Sequence, residues 1–445
     1  MTTAASRPTL IRRAAVFDGT RLHPARDVLI EGPLITAVGD ALPLPEDAHL
    51  VDGAGRTLLP GLIDAHTHAT DTGQLRQSLL FGITTELDMG GAPATARRLR
   101  AAAGDRDDLA DLRVATTGAT TPGGHPGQLV ESGLLDPFPT VARWQDADAF
   151  VAARVAEGAD HLKIFIEDGT AIGHPMPLMS ARTVTALVRA AHERGLRTIA
   201  HTLTRTAARQ AVDCGVDGLA HAPADGPSSD DLIEAAAAHG VFVVPTLTAL
   251  TGMTPTPAEY ALADDPRLRP YAEARWLEEL DRIRTTNPAE RVGPISMDPA
   301  HAADAALRMF RLGVPLLAGT DGTGGMGHPT THGISYHGEL ALLVAAGLTP
   351  AQALTAATAA PADAFALTDR GRIAPGLRAD LLLVDGDPTH DITALRAITR
   401  LWRRGTPVDR PALAAGGAGA SAAAGAAAGA GAAAGAAAGA AKIGS

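Results

Sequence analysis

The feature that most constrains this chain is an alternation. Short apolar runs recur at Leu58–Ala65, Gly82–Leu87, Leu112–Thr117, His161–Ile166, Leu196–Ala200, Gly218–His221, Val241–Thr246 and Val314–Gly319. Between them lie Ala/Arg-rich stretches such as "SARTVTALVRAAHERG" and "TRTAARQAVDCG". In the first of these, Val184, Leu187, Val188 and Ala191 recur at the spacing of one helical face. Several such stretches close on a glycine just before the next run, at Gly195, Gly215, Gly240 and Gly313. Eight runs with helices between them fit an α/β fold of the (β/α)8 TIM-barrel type. A doubly wound open sheet is the alternative, but no GxGxxG loop follows the first strand.

Both ends of the chain read differently. The first 60 residues hold "AAVFDG", "DVLIEG", "LITAVG" and "RTLLPG", short apolar runs ended by glycine. The pattern returns over 371–408 with "GRIAPG", "ADLLLVDGD" and "AITRLWRRGTPV". Strands from the two ends can pair into one small domain. The expected division is a β-sandwich part over 1–57, the barrel over 58–368, and a second sandwich part over 369–410. The stretch 411–445 is nearly all Ala and Gly, with too few large apolar side chains to bury a core, and is expected to be a disordered tail. Residues 251–300 carry Tyr260, Tyr271 and Trp276 in a chain with only 3% aromatics. That segment reads either as a lid over a pocket or as a helical cap on its own core.

Composition narrows the function classes. The net charge is -11 with no dense Lys/Arg cluster, which argues against a nucleic-acid partner. The single cysteine, Cys214, excludes an internal disulfide and a thiolate metal cluster, and reads as a buried small apolar residue. The N-terminal stretch lacks the apolar core of a signal peptide, and no run approaches the ~20 apolar residues that span a bilayer. A cytoplasmic enzyme without membrane attachment is the expectation. Homo-oligomerisation is left open.

Active sites of such barrels lie at the C-terminal ends of the strands, so the polar residue closing each run matters. The first run ends in His66 and His68, the fifth in His201, the sixth in His221 and the eighth in Asp321. Lys163 interrupts the fourth. In a strand, residues i and i+2 share a side, so His66 and His68 can both face the axis. Neutral imidazole and carboxylate suit Zn²⁺ or a similar divalent ion, which brings the pKa of bound water to roughly 7. Asp321 can ligate and also shuttle a proton. A buried, unpaired lysine among cations is costly. As a CO₂-derived carbamate it becomes an anionic bridge between two metals. Singly, each histidine reads as structural; together, at successive strand ends, they read as a site. His23, His49, His192, His239 and His390 fall in helices or surface loops and read as structural. No HExxH helix or GxSxG elbow competes.

These residues resemble the metal-dependent amidohydrolase superfamily. "RTLLPGLIDAHTH" is similar to its first-strand signature, "RGRIAPGLRADLLLVDGDP" to the return into its small domain, and "HGELALLVAAGLTPAQALTAATAAPADAFAL" to the helices after its eighth strand. The resemblance spans roughly residues 10–408. Within it, the fourth-strand lysine resembles the carboxylated-lysine binuclear branch, in the imidazolonepropionase-like and Xaa-Pro dipeptidase-like group. The resemblance implies one metal on His66, His68 and Asp321, a second on His201 and His221, and carbamylated Lys163 bridging them. Zinc is the usual metal. "TPGGHPGQ" resembles the group's Gly-Gly-His loop, which implies substrate contact by His125. "YHGEL" matches an "LHxEL" pattern, making His337 and Glu339 supporting or structural residues. One position departs: where the group often has Tyr or His two residues after the fifth-strand histidine, this chain has Leu203. Polarisation of the substrate carbonyl must then come from a metal or another donor. The implied reaction is hydrolysis of an amide bond, peptide-like or N-acyl, by metal-bound hydroxide, with a small-molecule or peptide-like substrate. A lactone, carbamate or phosphotriester is the alternative for the same two-metal site.

Overall fold

The structure is a computed structural model; it describes residues 7–254, 257–286, 295–323 and 329–416. Five strands open the chain: β1 Thr9–Phe17, β2 Leu22–Glu31, β3 Leu34–Gly39, β4 His49–Asp52 and β5 Arg56–Pro60. Seven more run through the centre: β6 Leu62–Thr67, β7 Ile83–Asp88, β8 Asp111–Val114, β9 His161–Phe165, β10 Arg197–His201, β11 Gly218–Ala220 and β12 Phe242–Val244. Then come β13 Leu381–Asp385, β14 Ile398–Arg403 and β15 Thr406–Pro407.

The strands of both ends form one eight-stranded sheet, ordered β15-β14-β13-β5-β1-β2-β3 with β4 paired to β1. Its two faces follow the period of two. Leu58, Leu381, Leu383 and Trp402 join a core with Ile11, Val16, Val28, Ile30 and Ile35 from the other terminal strands. Their neighbours Leu59, Leu382, Val384 and Leu401 point the other way, into the main core of the molecule. The ladder between β5 and β13 is antiparallel, from Leu381 opposite Pro60 to Asp385 opposite Arg56. The run Leu58–Ala65, read as one strand, is therefore two. Its first part belongs to the terminal sheet, and the break falls at Gly61, where a Cβ would lie 2.2 Å from Thr84 Oγ1.

The centre is a barrel-like α/β arrangement of parallel strands. One sheet is β6-β7-β8 and the other β12-β11-β10-β9. Isolated parallel bridges link their edges: Ala119 to Ile164 on one side, and Val243 to Leu316 and Thr67 to Gly322 on the other. The eighth apolar run thus lies between β12 and β6, fixed by Leu317 N–H to Val243 O at 2.9 Å and Ala65 N–H to Ala318 O at 2.9 Å. Gly319 makes that approach possible, since a Cβ there would meet Val244 Cγ1 at 2.5 Å and the His66 nitrogen at 2.9 Å. Ile63, Ala65, Leu87, Ile199, Ala220, Val244 and Leu317 pack together as an apolar layer drawn from six different strand segments.

The covering helices show the local signals that start and bury them. In Ala181–His192, the Ser180 hydroxyl caps the Thr183 amide, while Val184, Leu187, Val188, Ala190 and Ala191 are buried. In Arg205–Asp213, Thr204 caps Ala207. The described part of 251–300 packs into the main core through Tyr260, Tyr271, Trp276 and Leu280. The Trp276 indole donates to Pro329 O at 2.7 Å. Residues 410–416 are helical, whereas 417–445, most of the segment expected to be a disordered tail, lie outside the described residues. Among the described residues, no helix is long and apolar enough to cross a membrane.

Candidate metal centre

The histidine pair of β6 reaches its position through a bulge. Asp64 pairs with Glu86, but the next partners are Thr67 and Asp88, so β6 carries one extra residue. Ile63 and Ala65 stay in the apolar layer, and the extra residue turns His66 toward the same space. Asp64 stabilises the bulge by accepting from the His66 amide at 3.1 Å and the Thr320 amide at 3.0 Å. The Thr320 hydroxyl donates to its second oxygen at 2.7 Å. Burial pushes the Asp64 carboxyl up to about 7 against these bonds.

Asp321 completes a cluster with the pair. Its Oδ1 is 3.3 Å from His66 Nε2 and 3.2 Å from His68 Nε2. One ligand atom from each of the three lies within 4.8 Å of the others. Lys163 Nζ is 3.2 Å from His66 Nε2, on a side chain buried in β9. Burial lowers its ammonium to about 7, with Asp321 and Asp88 opposing the shift. The His201 and His221 rings meet edge to face at 4.6 Å, and His221 lies 4.9 Å from His66. Burial holds both well below the ordinary imidazole range, which keeps them neutral and able to ligate. All six residues expected at the site are therefore brought together, five at or just past the C-terminal ends of their strand segments and Lys163 in the middle of β9.

The donor set fits a divalent metal, because neighbouring groups fix which nitrogen is free. His68 Nδ1 lies 3.1 Å from Gly90 O, which can only accept, so Nδ1 carries a proton and Nε2 is the nitrogen turned to Asp321 and to a metal. At His221, Nδ1 is 2.7 Å from Thr246 Oγ1, and that hydroxyl gives its own proton to Pro245 O at 2.8 Å. His221 must then donate from Nδ1, leaving Nε2 as a ligand. His201 Nε2 is buried with no hydrogen-bond partner. Backbone strain collects here too. His221, Thr246 and Asp321 adopt left-handed φ values of 69°, 49° and 60°, which costs roughly 1–2 kcal/mol each for residues with a Cβ.

His125 sits beside this cluster. Its ring stacks on His201 at 4.5 Å and 20°, and its Nδ1 is 2.9 Å from Gln128 Nε2. Read as amide donor to ring acceptor, that bond leaves Nε2–H as a donor. His337 and Glu339 lie behind the centre. His337 Nε2 is 3.1 Å from Phe81 O, and Glu339 accepts from the Thr248 amide at 2.8 Å.

The sequence reading missed three supports. Thr246 orients His221, as described. Glu86 holds His332 Nδ1 at 2.9 Å in a fully buried pair; burial alone would depress His332, but Glu86 raises it to about 9. Glu167, just beyond β9, places Oε2 3.6 Å from His201 Nε2. Only Glu167 left a trace in the sequence: it stands four residues after Lys163, on the same side of an extended run. Leu203 is buried in the main core, so the departure noted at that position adds no polar group to the site.

The family model for the amidohydrolase family matches residues 57–409. The chain belongs to the amidohydrolase family. Within it, the chain is 30% identical over 425 residues to the imidazolonepropionase of Anaeromyxobacter dehalogenans, covering 86% of this chain and 92% of that protein. It is 29% identical over 160 residues to the dihydroorotase of Mycobacterium leprae, but spans only about a third of that protein's length, 34%. Among solved structures, a Xaa-Pro dipeptidase with bound methionine in its active site superposes with a TM-score of 0.71 at 23% identity, over 90% of this chain and 99% of that one. At that identity the match concerns the fold.

Proposed function

We propose that this amidohydrolase-family chain is a metal-dependent hydrolase that cleaves an amide-type carbon–nitrogen bond in a small-molecule or peptide-like substrate. The observation that carries the reading is the convergence of His66, His68 and Asp321 within 4.8 Å, next to Lys163 and the buried His201–His221 pair. The full-length similarity to an imidazolonepropionase supports it. We read the architecture as a (β/α)8 barrel over 58–368 with a small β-sandwich assembled from 1–57 and 369–410.

His66, His68 and Asp321 would hold one divalent ion and His201 and His221 a second, most readily zinc, with Lys163 bridging as a carbamate. Bound there, the ions would supply Lewis acidity and bring water to a pKa of roughly 7. Lys163 is suited to the modification because burial keeps its amine neutral above about pH 7, the form that reacts with CO₂. Asp321 would take a proton from the attacking water and return it to the leaving nitrogen. Its carboxyl is held well below the ordinary range by His66 and His68 although burial opposes this, so it starts as the base. His125 would donate from Nε2 to a substrate carbonyl or carboxylate.

Full-length protein made with zinc and bicarbonate tests the reading. Two metal equivalents and hydrolysis within a panel of dipeptides, N-acyl amino acids and cyclic amides are expected. Protein without metal, or metal-loaded protein that turns over only lactones, carbamates or phosphotriesters, overturns it.

A further inference from the structure

Glu167 is not among the six residues assigned to the centre, yet its side chain has no solvent exposure and faces one of them. One carboxylate oxygen is well satisfied: Oε1 accepts from the Gly169 amide at 2.8 Å. The other oxygen, Oε2, is buried with no hydrogen-bond partner. It points at His201 Nε2, 3.6 Å away, which is also buried and also without a hydrogen-bond partner.

Two buried polar atoms left face to face without a partner are unfavourable, because each has lost water and they stand too far apart to bond each other. A proton on either atom does not resolve this. At 3.6 Å the pair is too long for a hydrogen bond. A shared cation does resolve it. Atoms that each lie about 2.0–2.2 Å from one zinc ion are at most about 4.4 Å apart, and 3.6 Å falls inside that reach. The local chain is built to hold the carboxylate in place. Gly169 has φ of +75°, and a Cβ there would collide with the His174 carbonyl, so the turn that presents the Oε1 donor requires glycine.

We propose that Glu167 is a direct carboxylate ligand of the divalent ion held by His201 and His221. This rests on the two-metal reading above and extends it. It makes the second position a carboxylate-bearing site rather than a purely imidazole one, apart from the bridge.

The test uses full-length wild type, Glu167→Gln and Glu167→Asp, each loaded with zinc or cobalt in bicarbonate. Metal content is measured by mass spectrometry after gel filtration, with cobalt visible spectra and chelator competition alongside. Circular dichroism of the metal-free proteins checks folding. Wild type should hold two equivalents. Glu167→Gln should retain one, weaken the other at least tenfold and change the cobalt spectrum. Glu167→Asp, with the charge kept but drawn back by one methylene, should fall between them and carries the test if Glu167→Gln does not fold. If both variants keep two equivalents, the wild-type spectrum and the wild-type competition curve, this proposal fails and the two-metal reading stands. Wild type holding fewer than two equivalents overturns both.

Discussion

Thr246→Val isolates the contact that orients His221 for the metal-binding role proposed for it. Valine matches threonine in shape and β-branching, so the buried site and the left-handed φ of 49° impose the same steric demand on both. What disappears is the acceptor for His221 Nδ1–H at 2.7 Å. Leaving that donor buried and unpaired costs about 1–3 kcal/mol. Moving the proton to Nε2 avoids nothing, because it blocks the lone pair that would bind metal. Removing such a supporting partner typically weakens a metal site 10–100-fold, or about 1.4–2.7 kcal/mol. Chelator competition at fixed pH should show this loss in one of two equivalents, and Thr246→Ser should restore it. If Thr246→Val competes within about twofold of wild type, the orienting role assigned to the hydroxyl is wrong, since a 1.4 kcal/mol effect is tenfold.

Other outcomes follow from the same geometry. Asp321→Asn should lower turnover by ~10²-fold or more, far beyond its effect on metal content; unchanged turnover with both ions bound refutes the proton-shuttle role. Lys163 should load with CO₂ as its amine becomes neutral, so bicarbonate-dependent metal uptake should rise through about pH 7 and vanish in Lys163→Met. His332 is raised to about 9 from an ordinary value near 6.5. Its pair with Glu86 therefore stabilises fully below about 6.5 and is lost as pH rises through 9. The gap in unfolding free energy between metal-free wild type and His332→Gln, from urea melts, should be larger at pH 6 than at pH 9.5. Gly319→Ala forces a methyl against Val244 and the His66 backbone, and should cost about 1–3 kcal/mol in the same melts.

The candidate cluster could be read from the sequence because metal chemistry limits the residue types, and the end of an apolar run limits where they stand. His66, His68, His201, His221 and Asp321 met both conditions, and Lys163 stood out as a cation in an apolar strand. The pairing of terminal strands was legible for a similar reason, since their glycine-ended runs match at both ends. The bulge in β6 was not, because the two-residue period carries no mark of an inserted residue; Asp64 holds it by accepting from the nearby His66 amide and from Thr320, 256 residues further along the chain. Nor were the proton positions of His68 and His221. Their partners are a backbone carbonyl and an ordinary threonine, which become significant only once placed. The strand boundary at Gly61 escaped because the apolar run crosses it without interruption, and only the approach to Thr84 reveals the break.

The pairing of β5 with β13 also sets a timetable. Arg56 bonds Asp385 across 329 residues, and Thr57 bonds Gly386 across the same interval. On a ribosome adding about 5–20 residues per second, β5 leaves the exit tunnel well before its partner has been translated. Until β13 arrives, one edge of that strand is unpaired and Leu58 and Leu59 lack their cross-strand neighbours Leu383 and Leu382. The nascent chain therefore carries a sticky strand for roughly 15–65 seconds at those rates. Chaperone dependence during synthesis, rather than low stability of the finished molecule, is where this architecture exposes itself to loss.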